Sequence, residues 1–238
     1  YYLADRNMVP PSSERYFSEK IQRLDSPGFT YEPPDAAPAV VPPPVIRNGY
    51  ITFGSLTRTS RLNDLMLRTW KKILDGVPNS RLRLDQRPFA IESTRKLFWN
   101  RLERLGIPRE RVELVFSSPH WDGYQDIDIC LDCWPHNAGT TNLESIWMGV
   151  PVLTKVDRAS VGHLGAAMLK PIGLRDWIVQ DEISYVDKAI YFAKDTNLLA
   201  TLRNTLRPRL QNSSLTDAPT HTRDLEKAYK LMVLESKR

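Results

Sequence analysis

The sequence predicts an α/β fold, a doubly wound parallel sheet of the Rossmann-like kind, on three observations. From Tyr50 onward short apolar strands alternate with segments of helical periodicity, the pattern of βαβ crossovers. The strands end in loops rich in Gly, Ser, Thr and Asn. Hydrophobic residues make up 41% and charged residues 26% of 238 residues, an ordinary globular composition with enough apolar side chains to bury a sheet on both faces.

Each element follows from its local pattern. Residues 50–53 read as a strand ending in Gly54. Leu62, Leu65, Met66, Trp70, Ile73 and Leu74 recur at helical spacing until Gly76 and Pro78 stop them. A strand at 81–84 precedes a helix at 91–105 closed by Gly106 and Pro108, and 112–116 forms a third strand. A helical turn at 121–125 leads to a strand at 128–132, a helix at 140–148 and a strand at 151–154. Then come a helix at 161–169, a strand at 177–179, and helices at 183–194, 198–210 and 223–235.

Nine of the 18 prolines lie before residue 45, so 1–48 reads as a Pro-rich, partly extended lead-in with one short helical candidate at 14–24. Residues 49–238 read as the Rossmann-like unit with its C-terminal helices. The first residue is Tyr rather than Met, which suggests a piece of a longer chain.

Composition excludes several classes. No apolar run approaches the roughly 20 residues of a membrane-spanning helix, and the apolar stretch 36–46 is broken by prolines. The net charge of +5 suits an anionic ligand, yet basic and acidic residues interleave (Arg101, Glu103, Arg104), so a nucleic-acid partner is not expected. The two cysteines, Cys130 and Cys133, lack the second ligand pair of a zinc site and lie at the end of a strand instead of opening a helix. They read as packed thiols in a reducing, cytoplasmic setting, and no metal is expected.

In a doubly wound sheet the ligand sits beyond the carboxyl ends of the strands, near the switch in strand order. The richest such loop runs from Trp134 to Glu144 and holds Ala138-Gly139-Thr140-Thr141. Small residues admit a ligand to the backbone, and two threonines then open a helix whose unpaired N–H groups attract an anion. Glu144 shares a face with Thr140 and could accept hydrogen bonds from a ribose diol, so phosphate and ribose together describe a nucleotide. The competing reading is that Thr140 simply caps the helix and Glu144 is a favourable acid in its first turns. The loop after the first strand holds Ser55, Arg58 and Arg61, hydroxyl and guanidinium groups suited to a diphosphate or to solvent. It matches neither the dinucleotide nor the Walker glycine spacing. His120, beside Trp121 and Tyr124, faces the same cleft and could contact a base or phosphate, or be a surface histidine. His136, His163 and His221 are weaker candidates, and no Ser/His/Asp set or carboxylate pair has recognisable spacing.

Four stretches carry a resemblance: Thr52-Phe53-Gly54-Ser55; Val77-Pro78-Asn79-Ser80-Arg81-Leu82; Asp128-Ile129-Cys130-Leu131-Asp132; and the run from Ala138 through Val152. Together they resemble the O-GlcNAc transferase family, in particular its Spindly-like and bacterial members, along nearly the whole chain. The resemblance implies the C-terminal, donor-binding lobe of a GT-B glycosyltransferase. Residues 1–48 would be the tail of an N-terminal catalytic lobe, preceded in the family by tetratricopeptide repeats. It implies transfer of a sugar, GlcNAc foremost, from a nucleotide-sugar donor to Ser or Thr of an acceptor protein, with no required metal or other cofactor. The lobe alone is expected to be inactive. By position, Arg61 falls where the family has a lysine that neutralises the departing diphosphate, which makes it the catalytic candidate. Ser55 and Arg58 fall in the donor-contacting loop, Thr140 and Thr141 match phosphate-binding threonines, Glu144 a ribose-binding acid, and His120 a histidine near base and diphosphate. Three departures stand out: Arg at 61, Gly139 where some members have histidine, and a shortened segment at 116–119. They leave UDP-GlcNAc, UDP-glucose and GDP-fucose open as donors. They also leave open a degenerate, non-catalytic interaction module and an Asn-glucosylating relative.

Overall fold

The computed structural model describes residues 1–237. The chain opens with β1 (Tyr2–Ala4), a 3-10 turn (Pro11–Tyr16) and β2 (Ile21–Arg23), which pairs in parallel with β1. After α1 (Val45–Asn48) come β3 (Thr52–Ser55), α2 (Asp64–Gly76), β4 (Arg81–Asp85) and α3 (Glu92–Arg104). Next are β5 (Val112–Val115), α4 (Trp121–Gln125), β6 (Ile129–Leu131), α5 (Thr140–Trp147) and β7 (Val152–Lys155). The remainder is α6 (Leu164–Leu169), β8 (Ile178–Val179), α7 (Glu182–Ala193), α8 (Thr196–Gln211) and α9 (Ala218–Ser236).

Strands β3 to β8 form one parallel sheet in the order β5-β4-β3-β6-β7-β8. The chain builds outward from β3 to β5, returns to β6 beside β3, and builds outward the other way. The switch therefore lies between β3 and β6, where Phe53 pairs with both Leu82 and Ile129. This is the doubly wound, Rossmann-like architecture the alternating pattern predicts. Phe53, Leu82, Leu84, Ile129, Val152 and Leu153 are fully buried, as strands covered on both faces must be. Around them α2 packs on α7, α7 on α8, and α8 on α5.

Two buried ionic groups fix the edge of the switch. The Asp128 carboxylate accepts N–H groups of Thr52 and Val45 at 2.8 and 2.9 Å, joining β6 to β3 and to α1. Arg203 of α8, 1% exposed, donates to the carbonyls of Tyr124, Ile127 and Met148, so α8 serves as a clamp beneath α4 and α5.

The local corrections have identifiable causes. The expected helix at 14–24 is a 3-10 turn followed by β2, because Ile21–Arg23 finds β1 as a pairing partner and that tertiary contact outweighs the local pattern. The first strand of the sheet begins at Thr52, two residues later than expected. The lead-in is tied to the last helix. Ser26 N–H donates to Asp224 at 2.7 Å, and Lys20 and Tyr1 both reach Glu235. No helix among the described residues is long and apolar enough to cross a membrane.

Candidate functional site

The candidate site lies at the carboxyl ends of β3 to β6, beside the switch. Helix α5 starts there with Gly139 as its N-cap, and no side chain caps it. The reading of Thr140 as a helix cap is therefore overturned. Thr140 and Thr141 occupy the first two helical positions, where backbone N–H groups have no intrahelical acceptor. Thr140 is exposed and Thr141 half-buried. A Cβ built on Gly139 would meet no atom within 4 Å, so the approach to this helix end is open. Ala138 behaves differently from expectation: it is 2% exposed, and its N–H is held by Asp132 at 2.8 Å.

One turn further on, Glu144 is fixed from outside its own helix. The Tyr124 hydroxyl donates to Glu144 Oε2 at 2.9 Å, and His120 Nε2 lies 3.3 Å from Oε1. Tyr124 also reaches the carbonyl of Thr141 at 3.1 Å. Burial first, then the neighbouring Glu144 charge, pushes the Tyr124 phenol well above its usual range, so it remains a donor at any physiological pH. His120 packs its ring against Trp121 with centroids 4.4 Å apart, leaving its other edge open. A cavity of about 220 Å³ gathers His120, Tyr124, Thr141 and Glu144 on one side and Gln86, Phe116 and Ser117 on the other.

Arg61 comes from the 3-10 turn Thr59–Arg61 after β3. Its Nη1 donates to the Asn137 carbonyl at 3.1 Å, which carries a fixed positive charge across the switch to the loop before Thr140. Burial, and secondarily the charge of Arg61, pushes the pKa of His136 down. Arg58, at the start of the same turn, is exposed and makes no side-chain bond among the described residues. Ser55 is 3% exposed at the end of β3 and does not line the cavity. The structure thus brings together His120, Thr141 and Glu144, with Thr140 adjoining and Arg61 tied to the same loop. It leaves Arg58 and Ser55 outside that group.

Cys130 and Cys133 are both buried and unpaired, and burial pushes each thiol up to about 12. Among the described residues no group of three or more His, Cys, Asp or Glu side chains is placed to hold a metal ion. His163 is half-buried, and burial lowers its pKa. His221 Nδ1 lies 3.3 Å from Ser26 Oγ, away from the sheet's carboxyl edge. The sequence reading gave no role to two residues that shape the site. Tyr124 stands four positions after His120, a spacing that shares a helix face and was the available signal. Asp132 carried no such signal. A larger cavity, about 690 Å³, lies beside Tyr50, Ser80 and Arg81 at the amino ends of the strands and holds none of these groups.

Known proteins resemble this chain throughout. Residues 46–225 match glycosyl transferase family 41. The chain is 36% identical over 236 residues to a probable UDP-N-acetylglucosamine–peptide N-acetylglucosaminyltransferase SPINDLY of Petunia hybrida, and 34% identical to that of Solanum lycopersicum. Each match covers 98% of this chain and 25% of the relative, so the chain spans about a quarter of the length of these curated relatives. Among solved structures, an O-GlcNAc transferase mutant of Thermobaculum terrenum superposes with a TM-score of 0.85 at 32% identity, covering 97% of this chain and 44% of that one.

Proposed function

Because the chain belongs to glycosyl transferase family 41, we propose that it forms the donor-binding lobe of a protein O-glycosyltransferase. The whole protein would move a sugar from a nucleotide diphosphate to a Ser or Thr hydroxyl of an acceptor protein. The observation that carries this reading is the open N-terminus of α5, with Thr140 and Thr141 at its tip and Glu144 held one turn below by Tyr124 and His120. Residues 1–48 are assigned to the tail of a first lobe, which their separate two-stranded sheet of β1 and β2 supports.

The chemistry follows from charge. The acceptor hydroxyl oxygen attacks the anomeric carbon and gives up its proton to the departing diphosphate or to solvent, while the bond from that carbon to the diphosphate oxygen breaks with its electron pair going to the diphosphate. The amides and hydroxyls of Thr140 and Thr141 hold the diphosphate, and Arg61 supplies the positive charge that offsets its growing negative charge. Because an arginine stays protonated throughout, Arg61 acts by charge and orientation and transfers no proton. Glu144, its orientation fixed, accepts the ribose hydroxyls, and His120 flanks base and diphosphate.

The activity named for the SPINDLY relatives makes UDP-GlcNAc the first donor to test, with UDP-glucose and GDP-fucose beside it. Calorimetric titration of this chain, and of the whole protein, with UDP, GDP and their sugar conjugates tests the reading. Saturable binding of one nucleotide, lost in a Thr140→Val/Thr141→Val variant, is the expected result and selects the base. If the whole protein binds none of them, the lobe is a degenerate interaction module.

A further inference from the structure

Resting on the donor-site reading above, we propose that Asp132 is the positioning residue of that site, a buried clasp that sets where the first turn of α5 presents its N–H groups. Asp132 stands just past β6 at the strand-order switch and is 1% exposed. Its Oδ1 accepts two backbone N–H groups, of Cys133 and of Ala138, both at 2.8 Å. These two residues bracket the loop between β6 and Gly139, so one oxygen fixes both ends of the loop that delivers Thr140.

The second oxygen faces the neighbouring strand. Oδ2 accepts the Thr154 hydroxyl of β7 at 2.7 Å. The Asn142 side chain, in the first turn of α5, lies near enough to lower the pKa of this carboxylate, and it donates to the Ala138 carbonyl at 3.1 Å. Helix α6 closes the cluster. A Cβ on Gly165 would stand 2.1 Å from Thr154 Oγ1 and 2.9 Å from Asp132 Oδ2. A buried carboxylate is costly unless its lone pairs are filled, and here donors from the loop and from β7 converge on it. Among the described residues it has no ion-pair partner, so its geometry is set by directional hydrogen bonds alone.

The charge on Asp132 is also conditional. Burial raises its pKa to about 6 against the donors that lower it. The titratable groups packed around it are Cys130, Cys133 and Tyr185, all pushed upward, with Lys155 following Thr154 on β7. Arg61 and His136 face the same loop, and His163 precedes α6. As pH falls through 6, protonation withdraws one acceptor and loosens the clasp, so donor affinity falls. A nucleotide-sugar has no diphosphate proton to gain in that range, which makes it the probe.

The test uses the whole protein with UDP-GlcNAc and GDP-fucose, comparing wild type with Asp132→Asn. The amide oxygen of Asn keeps the two loop bonds but turns a donor toward Thr154. The expected result is a donor KM raised at least tenfold with kcat within about threefold. The melting temperature stays within a few degrees, and the affinity loss between pH 7 and 5.5 is larger in wild type than in the variant. The readings at His136 and His163 are common to both proteins and cancel. Thr154→Val, which removes one donor at nearly constant volume, raises KM in the same direction by a smaller factor and serves if Asp132→Asn does not fold. Unchanged donor KM in both variants overturns the proposal, as does a loss of binding that only tracks the unfolded fraction. A wild type that binds neither donor overturns the site reading itself, and this proposal with it.

Discussion

The Tyr124 hydroxyl stands 2.9 Å from the Glu144 carboxylate and 3.1 Å from the Thr141 carbonyl, so one phenol spans the first turn of α5 from the side. Its single proton serves the carboxylate, and the carboxylate is thereby turned toward the cavity shared with His120. Removing the hydroxyl with Tyr124→Phe keeps the ring packing and frees Glu144 to rotate. The donor KM of the whole protein should rise about five- to tenfold, about 1–1.4 kcal/mol, the scale of one intramolecular hydrogen bond. Steady-state kinetics check this, and a denaturant titration should show a stability loss of similar size.

The threonine pair separates two roles that the sequence left superposed. Neither hydroxyl caps α5, so Thr140→Val/Thr141→Val should leave the melting temperature nearly unchanged. Nucleotide affinity should fall by at least about a hundredfold if each hydroxyl bonds a phosphate oxygen, since hydrogen bonds to charged groups contribute about 1.5–3 kcal/mol each. Calorimetry beside a thermal melt reads both quantities. A large drop in melting temperature with binding retained would restore the cap reading.

Arg61 gives a charge test. Arg61→Met removes the cation and the bond to the Asn137 carbonyl, and kcat should fall by about a hundredfold or more, the scale of losing one transition-state charge contact. Arg61→Lys keeps the charge with shorter reach and should retain activity within about tenfold. Equal losses in the two variants would assign Arg61 to the architecture of the loop instead.

The legibility of these features in the sequence follows their physical range. The sheet was readable because β strands buried on both faces must be apolar and helices must carry a 3.6-residue stripe, both local signals. The end of α5 was readable because Gly139-Thr140-Thr141 is a contiguous run whose consequence is local. Ala138 misled for the same reason: its small size suggested ligand approach, whereas its N–H is committed to Asp132. The clasp itself joins Asp132, Cys133, Ala138 and Thr154, and only the folded sheet sets their neighbours. Likewise β2 exists because β1 lies beside it, a pairing no window around residues 14–24 contains.

Asp128 gives a stability prediction whose sign opposes ordinary acid denaturation. Its carboxylate is buried, and burial raises its pKa from 3.8 to about 6, with the N–H groups of Thr52 and Val45 and the charge of Arg203 pulling the other way. A group whose folded pKa lies above its unfolded value binds more protons when folded. Its contribution is therefore most favourable below pH 4 and is lost as pH rises through 6, by about 3 kcal/mol at most for a shift of this size. The exposed Asp181 and Asp217, whose pKa values are lowered by hydrogen bonds to Ser184 and Thr220, slope the other way, so the whole curve mixes signs. Asp128→Asn isolates the effect, since the donor it turns toward Thr52 N–H costs the same at every pH. Urea unfolding of both proteins from pH 4 to 7 should show wild type losing stability relative to the variant between pH 4 and 6.5. A flat difference would mean that the Asp128 carboxylate stays ionised throughout, held by Arg203 and its two N–H donors against the cost of burial.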